Sequence, residues 1–411
     1  MSENATTKAD AKDAQSFGEN AMRGSSQSGV RLYNERLVLS LIRTHGSLPK
    51  AEIAKLTGLS PQTVSVIVRQ LENEGLLLKG ALLKGKVGQP LQPFSLKPDG
   101  AYSIGLKVGR RSGDLVLLGL DGVARKTVHH PYHFPSPEEF LSFARLGVDE
   151  LLADLSPLER RRICGMGVAA PFDIWKWEEE TGAAHDVMER WKVFDLTAEL
   201  AAMFDWPVLP CNDATAACAA ELLLGRGRQF KDYAYFYIGY FIGGGLVMNG
   251  QVHSGPRGNA GAFGSIPVAR SSGGSEQLIR AASLYLLERG IRDDGRDAAM
   301  LWQNEDDWSR VGGVLNKWID HCAKGVAQAA VSIASVTDPS AIIIDGAMPP
   351  HVRAQLVAAV RGHMGRINTD GISPFVVAEG TIGIQARALG AASLPLFANF
   401  MADRDVLLKE T

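Results

Sequence analysis

Three short stretches carry residues whose types and spacing could do chemistry. The longest is 238–265, IGYFIGGGLVMNGQVHSGPRGNAGAFGS, with nine glycines; its run Gly243-Gly244-Gly245 follows the apolar, strand-like segment 233–238. Glycines placed after a strand let backbone N–H groups approach an anion, so the run reads as a phosphate cradle. It reads equally as turns between short strands, and glycine content alone leaves both readings open. The second stretch is Asn212-Asp213-Ala214, opening an alanine-rich helical segment at 214–224. An amide beside a carboxylate suits the vicinal hydroxyls of a sugar; Asp213 suits a helix cap as well. The third is segment 60–74, where Ser60, Gln62, Thr63, Ser65, Arg69 and Asn73 alternate with an apolar face of Val64, Ile67, Val68 and Leu71. Polar, hydrogen-bonding and non-acidic side chains on one helical face suit base edges and phosphates in a major groove.

The elements around that third stretch form a module, residues 30–97. A helix at 31–45 places Tyr33, Leu37, Val38, Leu41 and Ile42 on one face and stops at Gly46. A short helix at 50–57 ends at Gly58, where a left-handed residue is easiest. Ser60 is the natural N-cap of the next helix, and Pro61 sits at its first position, where a missing N–H does no harm. Two helices joined by Thr57-Gly58-Leu59-Ser60 make a helix-turn-helix; the bland alternative is a small bundle with a solvated face. Apolar segments at 76–78 and 91–96 flank the basic tip Lys84-Gly85-Lys86-Val87-Gly88-Gln89-Pro90, which reads as a wing. The predicted DNA contacts are Ser60, Gln62, Thr63, Ser65, Arg69, Lys84, Lys86 and Gln89. Charge agrees: the module holds ten Lys/Arg against four Asp/Glu in a chain whose net charge is −2, so the remainder is acidic.

Residues 98–411 read as an α/β body. Strands are expected from 102 and at 115–120, 122–128, 163–168, 208–210, 233–238, 245–249, 341–345 and 375–378. Helices are expected at 137–155, 195–204, 214–224, 277–288, 307–338 (with a break), 350–363 and 385–397. Strand meanders and helical crossings repeated in two halves indicate two lobes with a ligand cleft between them. The polar segment 1–29 reads as a disordered tail without the apolar core of a secretory signal. No apolar run reaches the roughly 18–20 residues a bilayer needs, which predicts a cytoplasmic protein. Cys164, Cys211, Cys218 and Cys322 lack C-x-x-C spacing and read as free thiols in a reducing compartment.

The order of these motifs resembles the ROK family of repressors, open reading frames and sugar kinases, over about residues 30–400. Gly165-Met166-Gly167-Val168-Ala169-Ala170-Pro171-Phe172-Asp173 is similar to the family's GIGxPGxxD. Asn212-Asp213-Ala214 matches its NDA motif, Gly239 to Gly245 its second phosphate loop, and Gly255 to Ser265 the segment ending in ExGH. The resemblance implies an N-terminal winged helix-turn-helix followed by a two-lobed body of the actin-like ATPase fold. It implies Asp213 at the place of the kinases' catalytic base, but the other kinase parts depart from the pattern. The first phosphate loop, D-x-G-G-T in the kinases, is here Lys107-Val108-Gly109-Arg110-Arg111, which reverses a charge and fills the space phosphates need. In the second loop Tyr240 and Phe241 replace a hydroxyl donor and a glycine. ExGH is Ala262-Phe263-Gly264-Ser265; the acidic sugar contact is gone, and so is the histidine that in many members binds zinc, with no cysteine at 266–300. Gln89 stands where many members carry arginine before the wing's proline.

These readings predict no catalysis, metal or cofactor. They predict a homodimer or higher homo-oligomer that represses carbohydrate uptake or catabolism genes by binding palindromic operator DNA. A sugar or sugar derivative would bind at Asn212, Asp213, Gly244 and Gly245, with Trp175, Trp177, Glu178–Glu180 and Trp191 in or after the covering loop, Trp191 reading at least as well as core packing. The alternatives are a sugar kinase with a DNA-binding appendage, or a DNA-binding dimer with no small-molecule input.

Overall fold

The computed structural model describes residues 27–82, 91–132, 134, 136–171, 174–176, 185–270, 272–303 and 307–402. The chain divides into two units, 1–100 with 397–411, and 101–396.

In the first unit, helix α1 (Gln27–His45) begins inside the segment expected to be a tail; no proline interrupts its start, and Gly29 is buried. Helix α2 (Lys50–Thr57) ends as expected at Gly58, at φ +72°, with the Gly58 N–H donating to Ala54 O at 3.0 Å. Thr57 Oγ1 secures the turn by donating to Ile53 O at 2.7 Å and accepting from Leu59 N at 3.2 Å. Ser60 Oγ then caps helix α3 (Pro61–Asn73) by accepting from Thr63 N at 3.1 Å. The α3 face of Val64, Ile67, Val68 and Leu71 is buried against α1 and α2, each side chain stabilising by about 1.5–3 kcal/mol. Strands β1 (Ser47–Pro49), β2 (Leu77–Lys79) and β3 (Pro93–Leu96) form an antiparallel sheet in the order β1-β3-β2. Periodicity could not reveal β1, a three-residue edge strand ending in proline.

The body holds two five-stranded sheets of one topology. In the first lobe β4 (Tyr102–Val108), β5 (Ser112–Gly119) and β6 (Ala124–Pro131) form an antiparallel meander, and β7 (Ile163–Ala170) and β8 (Val208–Asn212) add in parallel, giving β6-β5-β4-β7-β8. The second lobe repeats this with β9 (Tyr233–Ile238), β10 (Ile242–Met248), β11 (Gln251–His253), β14 (Ala341–Gly346) and β15 (Val376–Glu379), in the order β11-β10-β9-β14-β15. Every residue of β9 and β14 is buried, the mark of central strands covered on both faces. Between β11 and β14, β12 (Pro267–Ala269) and β13 (Ser275–Gln277) form a hairpin turned by Gly273 and Gly274, both at positive φ.

The covering helices are α4 (Pro137–Leu152), α5 (His185–Val193), α6 (Leu196–Met203), α7 (Asp213–Leu224), α8 (Leu284–Asp293), α9 (Gly313–Thr337), α10 (Pro350–Met364) and α11 (Ala386–Phe400). The helix expected at 277–288 is instead β13, a 3-10 turn (Leu278–Arg280) and α8, because the Gly273-Gly274 turn continues as strand to Gln277.

Two helices tie the lobes together, and both are rich in small residues for a steric reason. Helix α7 lies on β10 of the second sheet: a Cβ at Gly243 would stand 2.6 Å from Ala214 Cβ, and one at Gly245 2.5 Å from Cys218 Cβ. Helix α11 returns to the first sheet, where a Cβ on Gly105 or Gly167 would collide with the backbone at Ala388 or Ala391. The two helices cross at Gly390, a Cβ on which would overlap Ala216 O. Residues 397–400 at the end of α11 fall in the first unit, where Ser40 Oγ contacts Met401 Sδ at 3.6 Å and accepts from Ala402 N at 3.0 Å.

Candidate DNA-reading face and candidate ligand cleft

On the outward side of α3, Gln62 and Arg69 are exposed, and Thr63 and Ser65 are half-buried. Ser60 and Thr63 are coupled, their hydroxyls 2.9 Å apart at the helix start, so each can meet DNA only in the orientation the cap permits. Val66, which the polar pattern passed over, lies on this side at 67% exposure. An exposed apolar side chain there suits a thymine methyl. Beyond Arg69 the face is tied down: Gln70 accepts from Arg31 and donates to Glu74 Oε1 at 2.8 Å. The wing residues Lys84, Lys86 and Gln89 lie outside the described residues.

In the body, the glycine run is neither cradle nor turn. Gly243, Gly244 and Gly245 are in β10, paired antiparallel with Tyr237, Phe236 and Tyr235 of β9. The turn is Gly239-Tyr240-Phe241, and its rings join Tyr285 and Trp302 in an aromatic cluster with centroids 5.0–6.4 Å apart. The glycines answer to close packing on both faces of β10, since a Cβ on Gly244 would lie 2.1 Å from Phe263. Gly243 and Gly244 border a cavity of about 550 Å³; Gly245, expected to contact ligand, is not among its lining and packs on Cys218.

Asn212 and Asp213 also border that cavity, but each already has work. Asn212 Oδ1 caps α7 by accepting from Ala214 N at 3.1 Å and Thr215 N at 3.3 Å. Only its amide NH2 is left to meet a ligand. Asp213 Oδ2 accepts from Arg387 of α11 at 3.3 Å. Ala262 and Ser265 line the cavity where the acid and histidine of ExGH would stand, and Arg257, Asn259 and Gln277 add polar groups. Arg257 and Asn259 lie within the Gly255–Ser265 segment, whose pattern does not single them out, and Gln277 and Arg387 follow no motif or periodicity that would have marked them. Trp191 is buried beside Phe140 and Phe194, while Trp177, Glu178–Glu180, Phe172 and Asp173 lie outside the described residues.

A second cavity, of about 210 Å³, lies by the loop between β4 and β5. Lys107 is buried there, its Nζ 2.5 Å from Asp114 Oδ2 and 2.9 Å from Ser112 Oγ; Asp114 Oδ1 is 2.5 Å from His129 Nδ1. Burial alone would raise the Asp114 carboxyl, but the Lys107 ammonium and the His129 hydrogen bond overcome it and hold the group well below the usual carboxylate range. Burial conversely draws Lys107 below the ordinary lysine value. Arg111 Nη2 reaches across to Glu288 Oε1 on α8 at 2.9 Å, and that carboxylate, 1% exposed, also accepts from Arg292 and from Trp302 Nε1 at 3.2 Å. Arg110 lies flat on Tyr240, its guanidinium carbon 3.7 Å from the ring centroid.

A model of the ROK family matches residues 103–396, and one described as winged helix-turn-helix DNA-binding matches 31–77. An uncharacterized protein of Sinorhizobium fredii is 26% identical over 375 residues, 89% of this chain and 91% of its own. The xylose repressor of Bacillus spizizenii is 24% identical over 244 residues, 59% of this chain and 62% of the repressor. Among solved structures, a ROK family transcriptional regulator, a homologue of the E. coli MLC protein, aligns with a TM-score of 0.65 at 18% identity. It covers 92% of this chain and 98% of its own.

Proposed function

The chain belongs to the ROK family, and from that premise we propose that it is a transcriptional repressor of carbohydrate uptake or catabolism genes, responsive to a sugar-like ligand. The observation that carries this reading is the outward face of α3. Gln62, Val66 and Arg69 stand free of the module's core, on a helix whose inner face and cap are fully used in folding. The match to a xylose repressor supports the carbohydrate link. A single recognition helix supplies too few base contacts for useful selectivity, so the protein binds a two-fold operator as a dimer or higher oligomer. Ligand in the 550 Å³ cavity acts by binding two arrangements of the lobes unequally, without which no equilibrium shifts. Among the described residues no helix is long and apolar enough to cross a membrane. Genome-wide mapping of bound DNA, followed by binding to the recovered sites across a salt series, tests the reading; no salt-dependent, sequence-selective binding would sink it.

On this reading the body is not a kinase. Phosphoryl transfer needs a free base and an acid-held metal at the phosphates. Here Asp213 is engaged by Arg387, and a buried Lys107, not an acid, opens the first loop. A coupled ADP-release assay over hexoses and amino sugars tests this; turnover above an Asp213→Asn control contradicts it.

A further inference from the structure

We propose that the cleft takes a ligand bearing one anionic group, a carboxylate or phosphate on a polyol, with Arg110 as its counter-charge. This rests on the reading above that the cleft receives a sugar-like molecule, and it names that molecule's charge.

Of the cations lining the two cavities, Arg257 is exposed to water, and three others already have an anion. Lys107 has Asp114 at 2.5 Å, Arg387 has Asp213 at 3.3 Å, and Arg111 has Glu288 at 2.9 Å. Arg110 has no ion pair among the described residues, and its Nε and Nη1 are buried without a hydrogen-bond partner, although the residue is only 4% exposed. Burial draws its pKa down to about 10, still far enough above neutrality that the charge persists. A guanidinium taken out of water without a counter-ion is strongly unfavourable, and proteins rarely retain one.

Its setting shows where the missing partner would sit. Stacking on Tyr240 uses the π face of the guanidinium and leaves its in-plane N–H groups directed edgewise. Arg110 borders both the 210 Å³ and the 550 Å³ cavities, so a group bound against that edge can belong to a molecule whose hydroxyls reach Asn212 and Arg257. A neutral sugar would leave Arg110 with only Tyr240 and the more distant Glu288 carboxylate to offset its burial. Planar donors of this kind match carboxylate and phosphate oxygens.

The test is a thermal-shift titration of the full chain at constant ionic strength with inorganic phosphate, gluconate, glucose 6-phosphate and glucose. It is run on wild type, Arg110→Met and Arg110→Lys. Expected is protection of wild type by phosphate, loss of at least tenfold in apparent affinity in Arg110→Met, and partial recovery in Arg110→Lys, which keeps the charge if the Met variant folds poorly. Phosphate protection that is absent in wild type, or survives in Arg110→Met, overturns the proposal. Comparing gluconate with glucose 6-phosphate separates a carboxylate from a phosphate. Equal protection of wild type and Arg110→Met by glucose, without Arg110-dependent anion binding, leaves the sugar reading standing and removes this one. Arg110-dependent phosphate binding that neither gluconate nor glucose 6-phosphate improves on shows a bare anion site, and overturns both the sugar reading and the polyol in this proposal.

Discussion

Adding one methyl group at Gly243 discriminates a packing role for the glycine run from a phosphate-binding one. The new Cβ would stand 2.6 Å from Ala214 Cβ, the one atom among the described residues, chain neighbours aside, within 4 Å of it. Carbon atoms pack best at about 3.5–4.0 Å, so α7 and β10 must part by roughly 1 Å. Overpacking of that kind costs about 1–3 kcal/mol. In a body of this size each kcal/mol lowers Tm by roughly 2 °C, so Gly243→Ala is expected to melt roughly 2–6 °C below wild type by calorimetry. The complementary change, Ala214→Gly, costs up to about 1 kcal/mol through helix propensity in the first turn of α7. It also removes the obstructing methyl. The double variant should therefore be more stable than the two single effects predict, with a coupling of about 1 kcal/mol or more. Strictly additive losses, or a Gly243→Ala protein as stable as wild type, refute the packing account. Unchanged Tm with loss of ligand-induced stabilisation would favour an anion cradle instead.

Three further outcomes follow from the same geometry. Arg69→Ala is expected to weaken operator binding across all sequences and reduce the salt slope by about 1, whereas Gln62→Ala costs about 1–3 kcal/mol and relaxes one base position, as read by competition binding. Asp345 is fully buried and accepts from Arg353 Nη1 at 2.8 Å, Tyr235 Oη at 3.1 Å and Gly383 N at 2.9 Å; Asp345→Ala leaves Arg353 only the looser contact to Glu379 at 4.0 Å and should lower stability by about 3–5 kcal/mol in urea unfolding. Asp114 has a carboxyl pKa depressed on folding, so its contribution is fully present above the unfolded value of about 3.9 and fades as pH falls toward the folded one. The stability gap between wild type and Asp114→Asn should begin to close below about pH 4; a gap that widens between about pH 4 and pH 2 contradicts the Lys107–Asp114 pairing.

What the sequence disclosed depended on whether the information was local. The cap at Ser60, the left-handed stop at Gly58 and the apolar stripe of α3 are set by neighbours within one turn, and they lie where pattern reasoning places them. The doubled sheet topology was legible as a repeat of meander and crossing, though three-residue strands such as β1 and β13 are too short for periodicity. Gly243–Gly245 misled because a glycine needed for positive φ and one needed for close approach look alike in sequence, and only the positions of α7 and Phe263 on the two faces of β10 separate them. Arg387 was invisible for a related reason. It lies 174 residues from Asp213, inside a segment that reads as an ordinary alanine-rich helix.

The departures from the kinase pattern also acquire a common physical sense. In a phosphoryl-transfer cleft the lobes meet around a nucleotide's charge and its metal. Here the protein's own groups make the crossings: Arg111 of the first lobe meets Glu288 of the second, Arg110 lies on Tyr240, and α11 is joined to α7 through Arg387 and Asp213. Two of these crossings pair a cation with a carboxylate. The third sets a cation against Tyr240 without an ion pair among the described residues, a cation–π contact worth about 2 kcal/mol when desolvated. That is the crossing a bound anion can strengthen without first displacing a carboxylate. On the proposed reading, ligand therefore biases lobe closure at Arg110, where the Arg111–Glu288 pair next to it already holds the loop across the cleft.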